Sequence, residues 1–279
     1  MAEGAVPARV RLTRRVVFSS GHRYWIPALS EEENRALFGS WASPYNHGHN
    51  YVLEVSVEGL VDESTGMVVN IKTIDDILRE RVVRQFDGKS INDEIPAFFD
   101  KASTLENLIE YVRGELLDLP EQAELVAIRL EEMPTLWVEA EKRNDWMITL
   151  TRTYEFAASH RLHSPALSAL ENVGVYGKCN NPAGHGHNYV LEVTVAGQPD
   201  PRTGMSVDLL TLDSVVNAEV VDRYDHKNLD CDIPEFQGRV TTSEIVVQEI
   251  WKRLDGRVPG ELRRVRLGET ARNIFEVSR

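Results

Sequence analysis

Two stretches of the chain alternate apolar and polar residues with a period of two. In residues 153–160, Tyr154, Phe156, Ala158 and His160 share one face, while Thr153, Glu155, Ala157 and Ser159 share the other. In residues 185–195, His185, His187, Tyr189, Leu191, Val193 and Val195 line up in the same way. Successive side chains of a strand point to opposite faces, so both stretches predict half-buried β-strands. Farther along, Leu212, Val215, Val216 and Val220 follow helical spacing, as do Val246, Val247, Ile250, Trp251 and Leu254. Residues 262–267 predict a closing strand. The order strand, loop, strand, helix, helix, strand clusters its elements instead of alternating them, which predicts an α+β fold with a mostly antiparallel sheet.

The whole pattern occurs twice. NHGHNYVLEVSVEG begins at Asn46 and GHGHNYVLEVTVAG at Gly184, 138 residues later. The same distance separates His22 from His160 and Gly66 from Gly204, and INDEIPAFF answers LDCDIPEFQ. Near the ends it becomes 137, with LEEMP at Leu130 against LGETA at Leu267, and residues 125–130 close the first copy. A repeat of this reach predicts two domains, residues 1–143 and 144–279, each long enough to bury a core of its own. The polar stretch EKRNDWMIT, residues 141–149, reads as the linker. TTSE at residues 241–244 and STLE at residues 103–106 have the form of capping boxes opening a helix.

Composition narrows the class. With 42% hydrophobic and 27% charged residues the chain reads as an ordinary globular protein. A net charge of −13 argues against a nucleic-acid partner, which needs a basic face, but leaves room for a locally positive site for a phosphorylated substrate. Two cysteines are too few for a disulfide framework and suit a reducing compartment. The N-terminal sequence has no apolar signal core, and no apolar run is long enough to cross a bilayer. The expectation is a cytoplasmic protein with no membrane partner.

The histidines carry the first chemistry. His185 and His187 are two apart on a predicted strand and point the same way, with Gly186 leaving room between them. His160 ends a different strand on its apolar face. Three imidazoles from two neighbouring strands can meet at one point. Three protein nitrogens with an open fourth position is the arrangement of catalytic zinc, whereas structural zinc is usually closed by four ligands. His22, His47 and His49 repeat the set. A lone His-x-His is a weak signal, but six of the eight histidines fall at matching positions of the two copies. Zinc is preferred to iron because no carboxylate completes a facial triad in these motifs.

Three further groups in the second copy suit proton transfer and substrate binding. Cys179 precedes His185 by six residues, on a loop rich in turn chemistry (CNNP). A thiol near a divalent metal can ionise and act as a base. Asp225 and His226, in YDHKNLD, form an acid–imidazole pair that can hold one tautomer and exchange protons. Glu269, at the end of the closing strand, could accept two adjacent N–H groups of a heterocycle. Taken singly, these would read as a small buried hydrophobe, a loop and an exposed acid. Beside the histidines they read as a site. Cys231 has no such context and reads as packing.

In FAASHR, YGKCNNPAGHGHNY, DPRTGM, DHKNLD, Thr242-Ser243-Glu244 and the terminal Glu269, the second half resembles the 6-pyruvoyltetrahydropterin synthase family. The resemblance implies a tunnelling fold in two tandem copies, each with a four-stranded antiparallel sheet and two helices, with barrels formed by oligomerisation. It implies a homo-oligomer, a trimer of two-domain chains. Zinc would be held by His160, His185 and His187. Cys179, Asp225 and His226 would transfer protons, and Glu269, Thr242 and Ser243 would bind the pterin. The implied reaction converts 7,8-dihydroneopterin triphosphate to 6-pyruvoyltetrahydropterin with loss of triphosphate. A related branch, which makes 6-carboxytetrahydropterin, typically has its cysteine four residues before the HGH. The separation of six here favours the pyruvoyl product. A non-catalytic zinc- or pterin-binding protein is the third reading.

The first copy departs from the family where the chemistry is done. Trp41 faces Cys179, Gly88 faces His226, Asn70 faces Asp208 and Leu105 faces Ser243. His22, His47, His49, Asp87 and Glu132 remain. The first copy is therefore expected to bind zinc, and a pterin where its pocket is open, without catalysing; the alternative is that Trp41 fills that pocket.

Overall fold

A computed structural model describes residues 8–279. The first seven residues, the start of the segment read above as lacking a signal core, lie outside the described residues. The chain divides into two compact units. One comprises the residues up to Leu150 with Gln198–Ser206, the other Thr151–Gly197 with Val207–Arg279.

In the first unit, β1 (Val10–His22), β2 (His47–Gly59), β3 (Glu124–Met133) and β4 (Leu136–Glu141) form an antiparallel sheet in the order β4-β3-β2-β1. Its helices are α1 (Glu31–Phe38), α2 (Ile71–Leu78) and α3 (Leu105–Glu115). A π-helical turn, Arg79–Val83, carries α2 on to Phe86. The second unit repeats this with β5 (Ile148–His160), α4 (Ala169–Tyr176), β6 (His185–Ala196), α5 (Leu209–Val216), α6 (Ser243–Leu254), β7 (Glu261–Thr270) and β8 (Asn273–Ser278), in the sheet order β8-β7-β6-β5. α5 likewise runs through a π-turn, Asn217–Val221, to Tyr224. No helix among the described residues is long and apolar enough to cross a membrane.

The predicted periodicities hold. Phe156, Ala158 and His160 are buried on β5, and Tyr189, Leu191, Val193 and Val195 on β6, while Asn188 and Val190 are exposed. Leu212 and Val216 bury one face of α5, which Val220 continues in the π-turn, and Val246, Val247, Ile250 and Leu254 bury one face of α6, which packs on β7 and β8. The closing strand breaks its alternation, burying Leu262, Val265 and Leu267. A bulge opposite Thr194 and Val195 inserts one residue there and resets the face. An equivalent bulge lies opposite Ser56 and Val57.

Three local expectations are corrected. First, α3 and α6 begin one residue later than the capping boxes require, with Thr104 and Thr242 as N-caps. Ser103 and Thr241 use their carbonyls for the histidines described below. True capping boxes open α1 and α4, where Ser30 pairs with Glu33 and Ser168 with Glu171. Those two helices read as loop because they bury only Asn34 and Phe38, and only Asn172, leaving no apolar stripe to detect. Second, the stretch read as a linker is a tight turn. Asp145 and Trp146 adopt φ of 52° and 58°, and the Trp146 N–H donates to the Glu141 carbonyl at 3.0 Å. Third, Gln198–Ser206, which carries TGM of the second copy, belongs to the first unit. The Thr203 carbonyl accepts from Asn107 Nδ2 at 3.1 Å, and the Ser206 N–H and hydroxyl donate to buried Glu106 at 2.7 and 2.8 Å. Gly204, at φ 76°, lies so close to Asn107 that a Cβ would sit 2.2 Å from its Nδ2.

The helical segment that ends at Tyr224 is anchored by Glu235. Its carboxylate accepts from Arg223 Nε at 2.6 Å and from the Tyr224 hydroxyl at 3.2 Å. The Arg223 guanidinium is the main cause that draws the Glu235 carboxyl from 4.5 down to about 2. A carboxyl depressed in the folded state contributes stability above its unfolded value, and that contribution is lost as pH falls through the folded value. Arg223 is 35% exposed, so the pair is discounted for solvent screening. Glu235→Gln is expected to cost about 1 kcal/mol at neutral pH, with the difference from wild type closing between pH 4.5 and about 2. Urea unfolding across that range checks it, and a gap that persists at the acid end contradicts it.

Candidate metal and catalytic site

Both units bring three imidazoles together where two antiparallel strands end. In the first, His22 lies directly across from His47, and His49 faces Ser20. Ring centroids are 4.6 Å apart for His22–His47, 5.0 Å for His22–His49 and 4.9 Å for His47–His49. In the second, His160–His185, His160–His187 and His185–His187 are 4.6, 5.3 and 5.0 Å apart. In each trio one nitrogen per ring lies within 4.8 Å of the others. The glycine between the paired histidines of the second copy relieves crowding from the strand beside it. A Cβ on Gly186 would press to 3.2 Å from the Ala158 carbonyl oxygen. Beneath each trio a stacked aromatic pair fills the sheet face, Phe18 on Tyr51 and Phe156 on Tyr189, with centroids 5.2 and 5.0 Å apart.

Backbone carbonyls orient one ring of each trio. His160 Nδ1 lies 2.7 Å from the Thr241 carbonyl and His22 Nδ1 3.2 Å from the Ser103 carbonyl. A carbonyl can only accept, so each Nδ1 carries the proton and each Nε2 turns its lone pair inward. Nε2 of His160, His187, His22 and His49, and Nδ1 of His185, are buried with no hydrogen-bond partner among the described residues. Burial, then the neighbouring His47 and His49, draws His22 down to about 3; burial and His47 draw His49 to about 4. His185 and His187 also lie below the ordinary value, chiefly through burial. Clustered neutral nitrogens with nothing to bond are what a divalent metal would satisfy.

A residue that sequence reasoning missed steadies this arrangement. Asp230 accepts from the Arg161 N–H at 2.6 Å and from the Thr241 hydroxyl at 2.7 Å, joining the end of β5 to the loop that orients His160. Asn92 does the same in the first unit, accepting from the Arg23 N–H and the Ser103 hydroxyl, both at 2.9 Å. The matched INDEIP and LDCDIP segments were the available signal.

Of the other sequence-predicted residues, Glu269 lies 3.9 Å from Nε2 of His160 and His187, and His226 shares a recess with His187. His226 Nδ1 lies 2.7 Å from Asp225 Oδ2, while Asp225 Oδ1 accepts from the Ala157 N–H at 2.7 Å. These bonds, the Ala157 one first, hold Asp225 below the ordinary carboxylate value. His226 is exposed and adopts φ 56°, a left-handed conformation few non-glycine residues take. It lines a recess of ≈ 510 Å³ together with His187. Glu269 Oε1 accepts from the Ser243 hydroxyl at 2.6 Å and Oε2 from Asn273 at 3.1 Å. Burial pushes this carboxyl up, but those bonds outweigh it and leave it below the ordinary value. The Thr242 hydroxyl makes no capping bond and so is not used by its helix. Cys179 is a free, half-buried thiol on the turn Gly177–Asn180, its carbonyl accepting from the Leu162 N–H at 2.9 Å. Its sulfur makes no hydrogen bond among the described residues.

The profile described as 6-pyruvoyl tetrahydropterin synthase matches residues 11–143 and again residues 149–279. The chain belongs to the 6-pyruvoyl tetrahydropterin synthase family. Proteins named 6-pyruvoyl tetrahydrobiopterin synthase from Poecilia reticulata and Homo sapiens are 48% and 47% identical to it over 126 residues, 45% of this chain and 86% and 87% of theirs. A 6-carboxy-5,6,7,8-tetrahydropterin synthase from Rickettsia conorii is 24% identical over 148 residues, 47% of this chain and 99% of its own. The solved 6-pyruvoyl tetrahydropterin synthase of Caenorhabditis elegans is 41% identical, covers 48% of this chain and 96% of its own, and has a TM-score of 0.46.

Within this synthase family the tunnelling fold appears here in two tandem copies, and their differences become legible. Gly88 keeps the backbone of His226, with φ 72° and its N–H on the Ser19 carbonyl, but drops the imidazole. Asp87 still accepts from the Ser19 N–H at 2.9 Å, which explains its retention. Trp41 packs against a cluster of Tyr24, Ile26, Phe38, Ala42 and Ala102. Outer-shell partners typically set metal affinity by about 10–100-fold. Asp230→Ala is therefore expected to weaken divalent-metal binding at the second trio by about that factor, read by competition with a chromophoric chelator. An unchanged affinity would remove Asp230 from the arrangement.

Proposed function

We propose that residues 144–279 form a zinc-dependent lyase converting 7,8-dihydroneopterin triphosphate to 6-pyruvoyltetrahydropterin with release of triphosphate. The observation that carries this reading is the second unit's trio of convergent, unpaired imidazole nitrogens, one of whose rings, His187, shares a recess with His226 of the Asp225–His226 pair. The identities near 47% to pyruvoyl synthases, against 24% to a carboxy synthase, support the choice of product.

His160, His185 and His187 would hold the zinc, which supplies Lewis acidity toward the substrate's side-chain hydroxyls. Glu269, its plane set by Ser243 and Asn273, accepts the adjacent N–H groups of the pterin, with the Thr242 hydroxyl free beside it. Cys179, as thiolate, takes a proton from a side-chain carbon. His226 relays protons through its Nε2 while Asp225 holds Nδ1. The ring gains the hydrogens that the side chain loses, so no outside oxidant or reductant is needed. A reducing, cytoplasmic location keeps the thiol available. The first copy, with Trp41 and Gly88 in place of Cys179 and His226, does not catalyse.

Mass spectrometry of the product from dihydroneopterin triphosphate tests the reading. Wild type is expected to release the pyruvoyl product, and Cys179→Ala to slow turnover by roughly 10²–10⁴-fold. Unchanged turnover removes the proposed base. A carboxylated product, or none, reassigns the activity. Assembly is read by native mass spectrometry, where an oligomer is expected (a trimer of two-domain chains is the count the resemblance implies) and a monomer contradicts it.

A further inference from the structure

Arg23 and Arg161 follow β1 and β5 at matching positions, and their guanidinium groups meet different neighbours. Arg23 is closed off. Its Nη1 and Nη2 donate to the Asp93 carboxylate at 2.7 and 2.6 Å, and Nη1 also donates to Asn46 Oδ1 at 2.7 Å. The Asn46 amide and the Ser90 hydroxyl brace that carboxylate at 3.2 and 2.6 Å. Asp93 is held well below the usual carboxylate range, chiefly by Arg23. At the matching positions the second copy has Cys231 for Asp93, Gly184 for Asn46 and Asn228 for Ser90. The carboxylate and the amide that close the arginine's outer edge are both gone.

Arg161 keeps its inner bonds. Its Nε donates to the carbonyl and the side-chain oxygen of Asn180 at 3.1 and 3.2 Å, and no carboxylate pairs with its guanidinium among the described residues. Half-buried, it lines a recess of ≈ 350 Å³ with His163, Arg239, Cys231, Asn228 and Asp230. That volume lies within the range of small-molecule sites. His163 is anchored through Nδ1, 3.0 Å from Asn180 Oδ1. Arg239 uses Nη1 on Glu249 and the Glu235 carbonyl, at 3.0 and 3.3 Å, and its Nη2 has no hydrogen bond among the described residues. Asp230 has both oxygens occupied, by the Arg161 N–H and the Thr241 hydroxyl. The recess therefore carries two guanidinium groups with unused donors and an acid whose oxygens are already bonded. A partly buried guanidinium without a counter-ion is costly, and its planar fork matches the oxygens of a phosphate. The recess also adjoins the trio: Asn228 lines both it and the recess shared by His187 and His226, and Gly184 on its rim precedes His185.

We propose that this recess binds a phosphate chain: the triphosphate of the substrate, and the inorganic triphosphate once it is released. The identity of the ligand rests on the reaction proposed above, whereas the anion site rests on the unpaired guanidinium groups alone. The first copy fills the same position with Asp93 and takes no phosphate there.

Inorganic triphosphate, titrated calorimetrically into the chain, tests this. Wild type is expected to bind one equivalent, more weakly as salt rises. Cys231→Asp gives Arg161 the carboxylate that Arg23 has, and is expected to weaken binding about 10–100-fold, with Arg239→Gln weakening it about 10-fold. Cys231→Ser, which adds no charge, is expected to bind as wild type does. Neopterin, which has no phosphate, is expected to bind wild type and Cys231→Asp alike. A wild type that binds no triphosphate overturns the proposal, as does an affinity unchanged in both Cys231→Asp and Arg239→Gln. An equal loss in Cys231→Ser, or an equal loss of neopterin binding, traces the effect to packing and also overturns it. Should Cys231→Asp fail to fold, Arg239→Gln decides. A chain that binds triphosphate in this way but releases no pterin product keeps the recess and loses the lyase, whereas turnover without these affinity changes does the reverse.

Discussion

Everything in each copy hangs on the close approach of three neutral imidazoles at the open end of a two-stranded pairing. Strand pairing alone would place the rings, but it would leave each free to rotate and protonate. The constraint that orients the anchoring ring is a hydrogen bond to a backbone carbonyl on the loop before the last helix of each unit, Thr241 for His160 and Ser103 for His22. That bond settles the tautomer. Burial disfavours the charged forms of His22, His49, His185 and His187, and the inward nitrogens find no hydrogen-bond partner among the described residues. The loop is held in turn by Asp230 or Asn92, which explains why a site made of strand residues depends on a helix-entry segment 81 residues away.

Duplication has let the two copies use one framework for different ends. The DHK loop of the second copy and the DGK loop of the first share the same left-handed backbone and the same aspartate clamp onto the neighbouring strand. In the second, the clamp's other oxygen engages an exposed imidazole, and a non-glycine residue accepts an unfavourable φ to present it. In the first, glycine takes that φ freely and nothing is presented. The copies diverge again at the carboxylate ending the closing strand. Ser243 and Asn273 hold Glu269, which keeps some exposure, whereas Glu132 is buried.

Much of this was legible in the residues. The period-two faces of β5 and β6, the helical stripes of α5 and α6 and the two histidine trios were read correctly, because each depends on spacing along one element. The short helices α1 and α4 were not legible, since what they bury is chiefly an asparagine serving loop carbonyls. Nor was the turn joining the copies, whose polar composition resembles a linker while its backbone closes on itself through residues 142–147.

The sequence by itself determined the repeat, the strand faces and which histidines converge, because side-chain direction follows locally from the backbone period. Only the tertiary structure decided which nitrogen of each ring faces inward, where the helices start and how deep Glu132 lies. It also decided that Gln198–Ser206 packs with the first unit, where Ser206 meets the buried carboxyl of Glu106. Each of these rests on a hydrogen bond or a packing choice between residues far apart in the chain, and no local period encodes which partner a buried polar atom will find.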